Sequence, residues 1–352
     1  VTTASTIRPA VAVRPAPGGR IALWDNARAL LIGLVVFGHG LESMRGSTSV
    51  DVVYAVVYAF HVPAFLFVSG WFARADRLDA KALLGTSRLL VTWLLAEAGW
   101  VVLRLATGEP PFPGSFLVVP SWTLWFLVTL FLMRLLLPYL ARLRAPLVLA
   151  VVATLGVGLL DVGTAFSASR TICLLPFFLL GWWLRGRGLD RAAWFLAPSV
   201  RVRAAAGAAM AVAAGAIVLL MRQDAWTTQL LFWRRGYAGM DLDAVEGVAL
   251  RGTVLVIAAV MTLALLVLAP RTRFRWSSVG QHTLTVYLLH GPVIELLRRT
   301  PLDDAVPSGP LALLLAALLA VVLVVGLGND LVGRLLKPLT EPDWALRRLS
   351  PS

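Results

Sequence analysis

The stretch Arg20–Glu42, RIALWDNARALLIGLVVFGHGLE, has the length and apolar content of a membrane-spanning helix, yet it contains Asp25, Arg28, His39 and Glu42. A run of this length reads as a span, and ionisable groups within a span face a bundle interior or a polar cavity. Arg28 and His39 are close to three full turns apart, so they share one face, separated by about 16 Å along the axis. Asp25 lies one turn before Arg28 and Glu42 one turn after His39, within reach of local pairing. One stripe of this helix thus carries two acid–base pairs. They either neutralise one another and glue helices together, or they serve chemistry.

The rest of the chain is built in the same way. It has 352 residues, of which 59% are hydrophobic and 14% charged, with a mean hydropathy of +0.80. That is more apolar surface than a soluble domain can hide. Apolar segments fall near 23–44, 50–72, 89–106, 122–140, 145–161, 170–184, 204–221, 248–269, 281–297 and 311–333. They predict an all-α polytopic membrane protein with about ten transmembrane helices. The first segment carries charges and lacks a small-residue cleavage site, so it reads as a retained helix rather than a signal peptide.

Placing the N-terminus in the cytoplasm puts 21 of the 32 Lys and Arg residues on that side and 8 on the other. The positive-inside rule then predicts both termini to be cytoplasmic. Residues 1–19 are expected to form a disordered cytoplasmic leader, 20–337 the membrane domain and 338–352 a short cytoplasmic tail. The connection 222–247 contains FWRRGYAGMDLDAVEG and three of the outer arginines, Arg222, Arg234 and Arg235. An interfacial helix or a partly re-entrant segment is expected there. The net charge of +13 follows from this topology and from attraction to anionic lipid. No nucleic-acid motif is present, and Cys173 stands alone, which excludes an intrachain disulfide.

Histidine is rare in this chain, and three of its 4 histidines fall within predicted spans. YAFHVPAFLFVSGWF (58–72) places His61 in the second segment, and Pro63 frees a backbone carbonyl near it, permitting a polar niche. SVGQHTLTVYLLHGP (278–292) places His290 in the ninth, with Tyr287 one turn earlier on the same side. His282 lies at a boundary, where interface exposure is expected. Each histidine alone reads as a packing residue bonded to a carbonyl; three together point to a shared polar chamber. Histidine, with an unperturbed pKa near 6.5, suits a general base. Glu42 is placed to fix the His39 tautomer and stabilise its imidazolium, and arginine suits phosphate or carboxylate. His39, His61 and His290 are a conceivable three-histidine metal set, but no HExxH-type spacing occurs and no metal is expected. The alternative to an enzyme is a transporter or exporter whose intramembrane His, Arg and Glu residues line a solute pathway. Against it, the spans show no evident two-fold repetition.

Four motifs, in order along the chain, carry a family resemblance. Arg20, Asp25, Arg28 and His39 resemble the first-span pattern of the acyltransferase 3 family of integral membrane enzymes, and DNARALLIGLVVFGHG (25–40) is similar to its fucose 4-O-acetylase-like branch. FHVPAFLFVSGWF (60–72) resembles the family's Phe-His-Met-Pro…Ser-Gly segment, with Val62 in place of Met. SWTLWFLVTLF (121–131) resembles its Leu-Trp-Phe-Leu element, and LTVYLLHGPV (284–293) its Tyr-Leu-Leu-His helix. Other branches carry acidic residues where this chain has Val128 and Thr129, which again points to the fucose-acetylase-like branch.

The resemblance implies transfer of an acyl group, most often acetyl, from cytoplasmic acyl-CoA to a hydroxyl on a sugar, glycan or other envelope acceptor. It implies that His39 is essential and that Arg28 assists the donor side. Acetyl-CoA is then a co-substrate and no cofactor is permanently bound; the partners are membrane lipids, acyl-CoA and the acceptor. The CoA phosphates are expected against cytoplasmic arginines such as Arg74, Arg77, Arg88 and those in 271–275, with Lys81. His61 and Tyr287 are candidate donors to the oxyanion, and His290 completes the catalytic chamber.

Overall fold

The computed structural model describes residues 21–75, 80–112, 118–300 and 309–349. All ten apolar segments are helical, and no strand occurs among the described residues. The expected leader, Arg20 and Arg77 lie outside them. In chain order, α1 is Ala22–Gly40, α2 Thr48–Phe72 and α3 Ala80–Ala106. A 3-10 turn, Trp122–Leu124, leads into α4, Trp125–Leu140; α5 is Pro146–Gly156 and α6 Ala168–Gly186. The short α7, Ala193–Leu196, precedes α8, Val200–Leu220; α9 is Ala244–Leu268 and α10 Thr283–Leu297. Last come α11, Pro310–Leu327, and three short helices: α12, Asp330–Leu335, α13, Lys337–Thr340, and α14, Asp343–Leu349.

Among the described residues, 7 helical stretches are long and apolar enough to cross a membrane. They correspond to α2, α3, α4, α6, α8, α9 and α11. Two shorter apolar helices, Pro146–Leu159 and Thr283–Leu297, and the charge-bearing α1 account for the remaining apolar segments. The chain is a multi-pass membrane protein. Its helices differ in role: α2 is buried along most of its length, whereas α8 and α11 turn most of their side chains outward. Apolar side chains facing outward on such helices are solvated by lipid.

The core gathers around α1 and α2. α1 packs against α2, α10, α11 and the 3-10 turn Arg275–Gln281. Asn26 pins that turn: its amide donates to the carbonyls of Pro270 (2.9 Å) and Thr272 (2.8 Å), while Ser277 Oγ donates to its Oδ1 at 2.6 Å. α2 lies along α6, and two glycines set how closely. A Cβ on Gly70 would run into the Phe178 carbonyl, and one on Gly181 into the Phe67 carbonyl. Small residues that let backbones approach are how helices associate where lipid supplies no hydrophobic drive. Gly70 of the second motif is thus a packing device, while Ser69 before it lines a cavity. Thr129 is buried between α4 and α6, sharing hydrogen bonds with Ser167 (2.8 Å) and Thr171 (3.3 Å).

The connection 221–243 is neither an interfacial helix nor extended loop. Two 3-10 turns, Thr228–Phe232 and Ala238–Met240, fold it against the helix ends, burying Leu230, Leu231, Trp233, Tyr237, Met240 and Leu242. Ser169 Oγ and Arg170 Nε, in the first turn of α6, donate to the carbonyls of Trp233 and Phe232, each at 3.3 Å. Arg251, fully buried in α9, donates to the carbonyls of Thr154 and Arg235. Arg170 and Arg251, at the starts of two apolar segments, thus satisfy the backbone of the folded-in segment and its neighbour, as buried carbonyls require.

Candidate active site

Between α1, α2, α4, α6, α10 and the 231–234 segment lies a cavity of about 680 Å3. His39, Glu42, Tyr58 and His61 line one region of it, and Arg28 lines another. Most of the remaining wall is apolar, from Ile32, Val35, Phe65, Phe126, Leu127 and Leu130.

At the end of α1, His39 Nδ1 lies 2.8 Å from Glu42 Oε1. Tyr58 donates to the same oxygen at 2.6 Å, and Arg298 Nη2 donates to Glu42 Oε2 at 3.1 Å and to the His39 carbonyl at 2.9 Å. Both Glu42 oxygens act as acceptors, so His39 Nδ1 carries a hydrogen and donates it to Oε1, which leaves Nε2 as the basic atom. The Trp122 ring stands edge-on, 5.1 Å from the imidazole, and the Arg298 guanidinium lies 4.9 Å from the same indole. The i,i+3 spacing of His39 and Glu42 is legible in the sequence. Tyr58 and Arg298 arrive from α2 and the end of α10, and nothing local marks them.

The other two span histidines are held differently. His61 Nδ1 donates to Val57 O at 2.8 Å, and His290 Nδ1 to Val286 O at 3.1 Å. Each bond reaches back one turn, and each histidine stands two residues before a proline within its helix, Pro63 or Pro292. The niche is therefore built on the carbonyl four residues before the histidine, not on the one that Pro63 leaves without an N–H. A carbonyl only accepts, so both rings carry hydrogen on Nδ1 and present a lone pair on Nε2. His290 is fully buried beside His39, ring centroids 5.4 Å apart, with its Nε2 unpartnered. Tyr287 lines the cavity but donates its hydroxyl hydrogen to Thr123 O at 2.5 Å. His61 and Tyr287, expected as oxyanion donors, both spend their hydrogens on backbone.

Trp122 and Trp233 line the cavity wall with φ of 28° and 56°. Left-handed backbone at a bulky residue costs on the order of 1–3 kcal/mol and persists only where the surroundings over-determine it. For Trp122 the surroundings include Glu97, a fully buried carboxylate of α3 that accepts from Ser121 N (3.0 Å) and Ser121 Oγ (2.6 Å). Nothing in its segment LLAEAGW marks Glu97 as more than an isolated acid in a span.

At the other end, Arg28 Nη2 lies 3.7 Å from the buried Asp25, and its guanidinium lies 5.2 Å from the Phe72 ring. Arg134, about three turns along α4 from the Trp122 end, also lines the cavity. A second cavity, about 320 Å3, shares Arg28 and Phe72 with the first and is walled by Trp24, Trp71, Phe195, Arg185 and Asp190. Trp24 and Trp71 approach to 4.6 Å, and Asp190 Oδ1 is buried without a partner.

The remaining predicted residues lie elsewhere. Arg88 is clamped by Asp343 of α14 through two hydrogen bonds, Nε–Oδ1 2.6 Å and Nη2–Oδ2 2.9 Å. Arg74, Arg273 and Arg275 are exposed, while Arg271 donates to the carbonyls of Val267, Ala269 and Phe195. None of these lines either cavity. Val128 and Thr129 also stay outside the cavity wall, buried against neighbouring helices. His282 pairs with Asp330 at 2.8 Å. Among the described residues no group of three or more His, Cys, Asp or Glu is arranged to hold a metal ion.

Residues 21–328 match the family model of an acyltransferase domain, acyltransferase 3. No curated protein and no solved structure matches the chain.

Proposed function

The chain belongs to the acyltransferase 3 family, and from that premise we propose that it is a membrane-bound O-acyltransferase with His39 as general base. The acyl group, acetyl in the simplest case, passes from acyl-CoA to a hydroxyl of a sugar or glycan-type acceptor, as in the fucose 4-O-acetylase-like branch. The observation that carries this reading is the His39–Glu42 contact at 2.8 Å on the cavity wall.

In the proposed reaction His39 Nε2 takes the acceptor's hydroxyl proton as its oxygen attacks the thioester carbonyl. Glu42 stabilises the imidazolium through Nδ1–H, while Tyr58 and Arg298 hold Glu42 in place. The attack forms the C–O bond; collapse of the tetrahedral adduct restores the carbonyl and breaks the C–S bond, and the imidazolium returns its proton to the departing thiolate. A positioned base contributes roughly 10²–10⁴ in rate. The apolar side chains between Arg28 and His39, Ile32 and Val35 among them, offer water no partners beside the thioester, which disfavours its hydrolysis.

The topology belongs to the same proposal: ten spans, both ends cytoplasmic, the Arg28 end of the chamber facing the cytoplasm. Donor binding is supported there by the second cavity, where Trp24, Trp71 and Phe195 offer aromatic faces and Arg28 and Arg185 positive charge. The nucleotide end of acyl-CoA is assigned to this cavity, with Asp190 as acceptor for a base amine. The pantetheine arm then passes Arg28 into the chamber. In this assignment Arg28 and Arg185 take the place of Arg88, whose guanidinium is already committed to Asp343.

Purified protein in nanodiscs tests the proposal. It should release CoA thiol from acetyl-CoA only when a hydroxyl acceptor is supplied, and His39→Gln should abolish that release without lowering the melting temperature. A His39→Gln protein with wild-type turnover would reject His39 as the base.

A further inference from the structure

The walls of the chamber carry four arginines, Arg28, Arg134, Arg170 and Arg234, and a single carboxylate, Glu42. Glu42 is saturated by His39, Tyr58 and Arg298, and Arg28 has Asp25. Arginines elsewhere toward the His39 end are neutralised: Arg45 pairs with Asp51 at 3.0 Å, Arg104 with Glu109 and Glu295, and Arg299 with Glu295 at 2.7 Å. Among the described residues Arg170 and Arg234 sit together on the chamber wall with no carboxylate within ion-pair distance, and Arg134 is the third chamber arginine without one.

Their surroundings keep both guanidinium groups in place without cancelling their charge. Arg170 stacks 4.5 Å from the Trp125 ring and gives Nε to the Phe232 carbonyl. Arg234 lies 5.4 Å from the Phe232 ring, gives one Nη2 bond to Gln229 Oε1 at 3.3 Å, and keeps a buried Nε without a partner. Both interact with the same residue, Phe232, and the positive charge of Arg234 acts on Arg170. Two like charges on one partly desolvated wall repel unless an anion sits between them. The segment presenting Arg234 is held by the two bonds from Ser169 and Arg170 to its carbonyls.

We propose that Arg170 and Arg234 bind an anionic group of the acceptor, a carboxylate or a phosphate, while the hydroxyl to be acylated faces His39. Arginine forks match both oxyanions with paired, charge-assisted hydrogen bonds. Arg170 gives one N–H to the Phe232 carbonyl and Arg234 one to Gln229, so both keep N–H groups for a ligand. Naming the ligand an acceptor rests on the acyl-transfer reading above; the anion site itself does not.

The test is therefore a binding measurement without acyl-CoA. Full-length protein in nanodiscs is titrated with a neutral hexose, the corresponding hexuronate and the corresponding hexose phosphate. At least one anionic sugar should bind tenfold or more tightly than the neutral one, and the better of the two identifies carboxylate or phosphate as the recognised group. The preference should fall to within about twofold in Arg234→Gln, recover in part in Arg234→Lys, and survive in His39→Gln. Coenzyme A should bind Arg234→Gln and wild-type protein equally. Equal binding of all three sugars overturns the proposal, as does a preference that persists in both Arg234→Gln and Arg170→Gln. Weaker coenzyme A binding by Arg234→Gln also overturns it, because the pair would then serve the donor. Acceptor-dependent CoA release fails or succeeds separately, so loss of the enzymatic reading and loss of the anion site are distinguishable.

Discussion

His39 stands 5.4 Å from His290, ring centroid to ring centroid, and shares Tyr58 as a neighbour with His61, yet these histidines are held on opposite principles. At the end of α1, His39 gives its Nδ1–H to a carboxylate held by a tyrosine and an arginine. In the His-x-Pro turns of α2 and α10, His61 and His290 give theirs to carbonyls of their own helices. A carboxylate stabilises the imidazolium when it forms; a carbonyl orients a neutral ring and compensates far less of the charge. Three histidines that look equivalent as residue types therefore divide into one suited to accept a proton in turnover and two suited to shape the chamber.

The largest expected effect is on the His39 side. His39→Gln keeps one hydrogen bond but cannot carry the proton, and acceptor-dependent turnover should fall by about 10²–10⁴. Glu42→Gln should follow. A hydrogen bond to a charged partner is worth about 1.5–3 kcal/mol, so kcat should drop roughly 10- to 100-fold, with the acyl-CoA KM little changed. Arg28→Ala tests the other end of the chamber. Its KM for acyl-CoA should rise about tenfold, as for loss of one charged hydrogen bond, while the acceptor KM stays within about twofold. Arg28→Lys should recover part of the loss, since it restores charge without the fork; unchanged acyl-CoA affinity in Arg28→Ala would leave Arg28 only its pairing with Asp25. The smallest effect is expected for His61→Gln and His290→Gln, about threefold in kcat, as for a neutral hydrogen bond of roughly 0.5–1 kcal/mol. If either silenced turnover as fully as His39→Gln, the division between carboxylate-held and carbonyl-held histidines would collapse.

Much of this arrangement is local, and local features are what a sequence displays. Asp25 with Arg28 and His39 with Glu42 are one-turn neighbours, and α1 contains the first pair and ends at the second. Each predicted apolar segment is helical because its length and composition leave the backbone no other way to satisfy its polar groups in lipid. The turn 121–124 shows the limit. Its sequence, SWTL, marks a motif, but its shape depends on Glu97, a buried acid 24 positions away in the chain.

What the sequence determined by itself, then, was a helical, multi-pass membrane protein with His39 and Glu42 already neighbours at the end of the first helix. Periodicity within one helix is enough for that, since 3.6 residues per turn decides which neighbours share a face. Only the tertiary structure decided that Tyr58 and Arg298 close around Glu42, that Arg88 belongs to Asp343, and that Arg170 and Arg234 meet at Phe232. Tyr58, Arg298 and Asp343 reach their partners from other helices, and the folded-in 221–243 segment brings Phe232 and Arg234 to Arg170. No periodicity along a single helix encodes which of its faces a distant segment will cover.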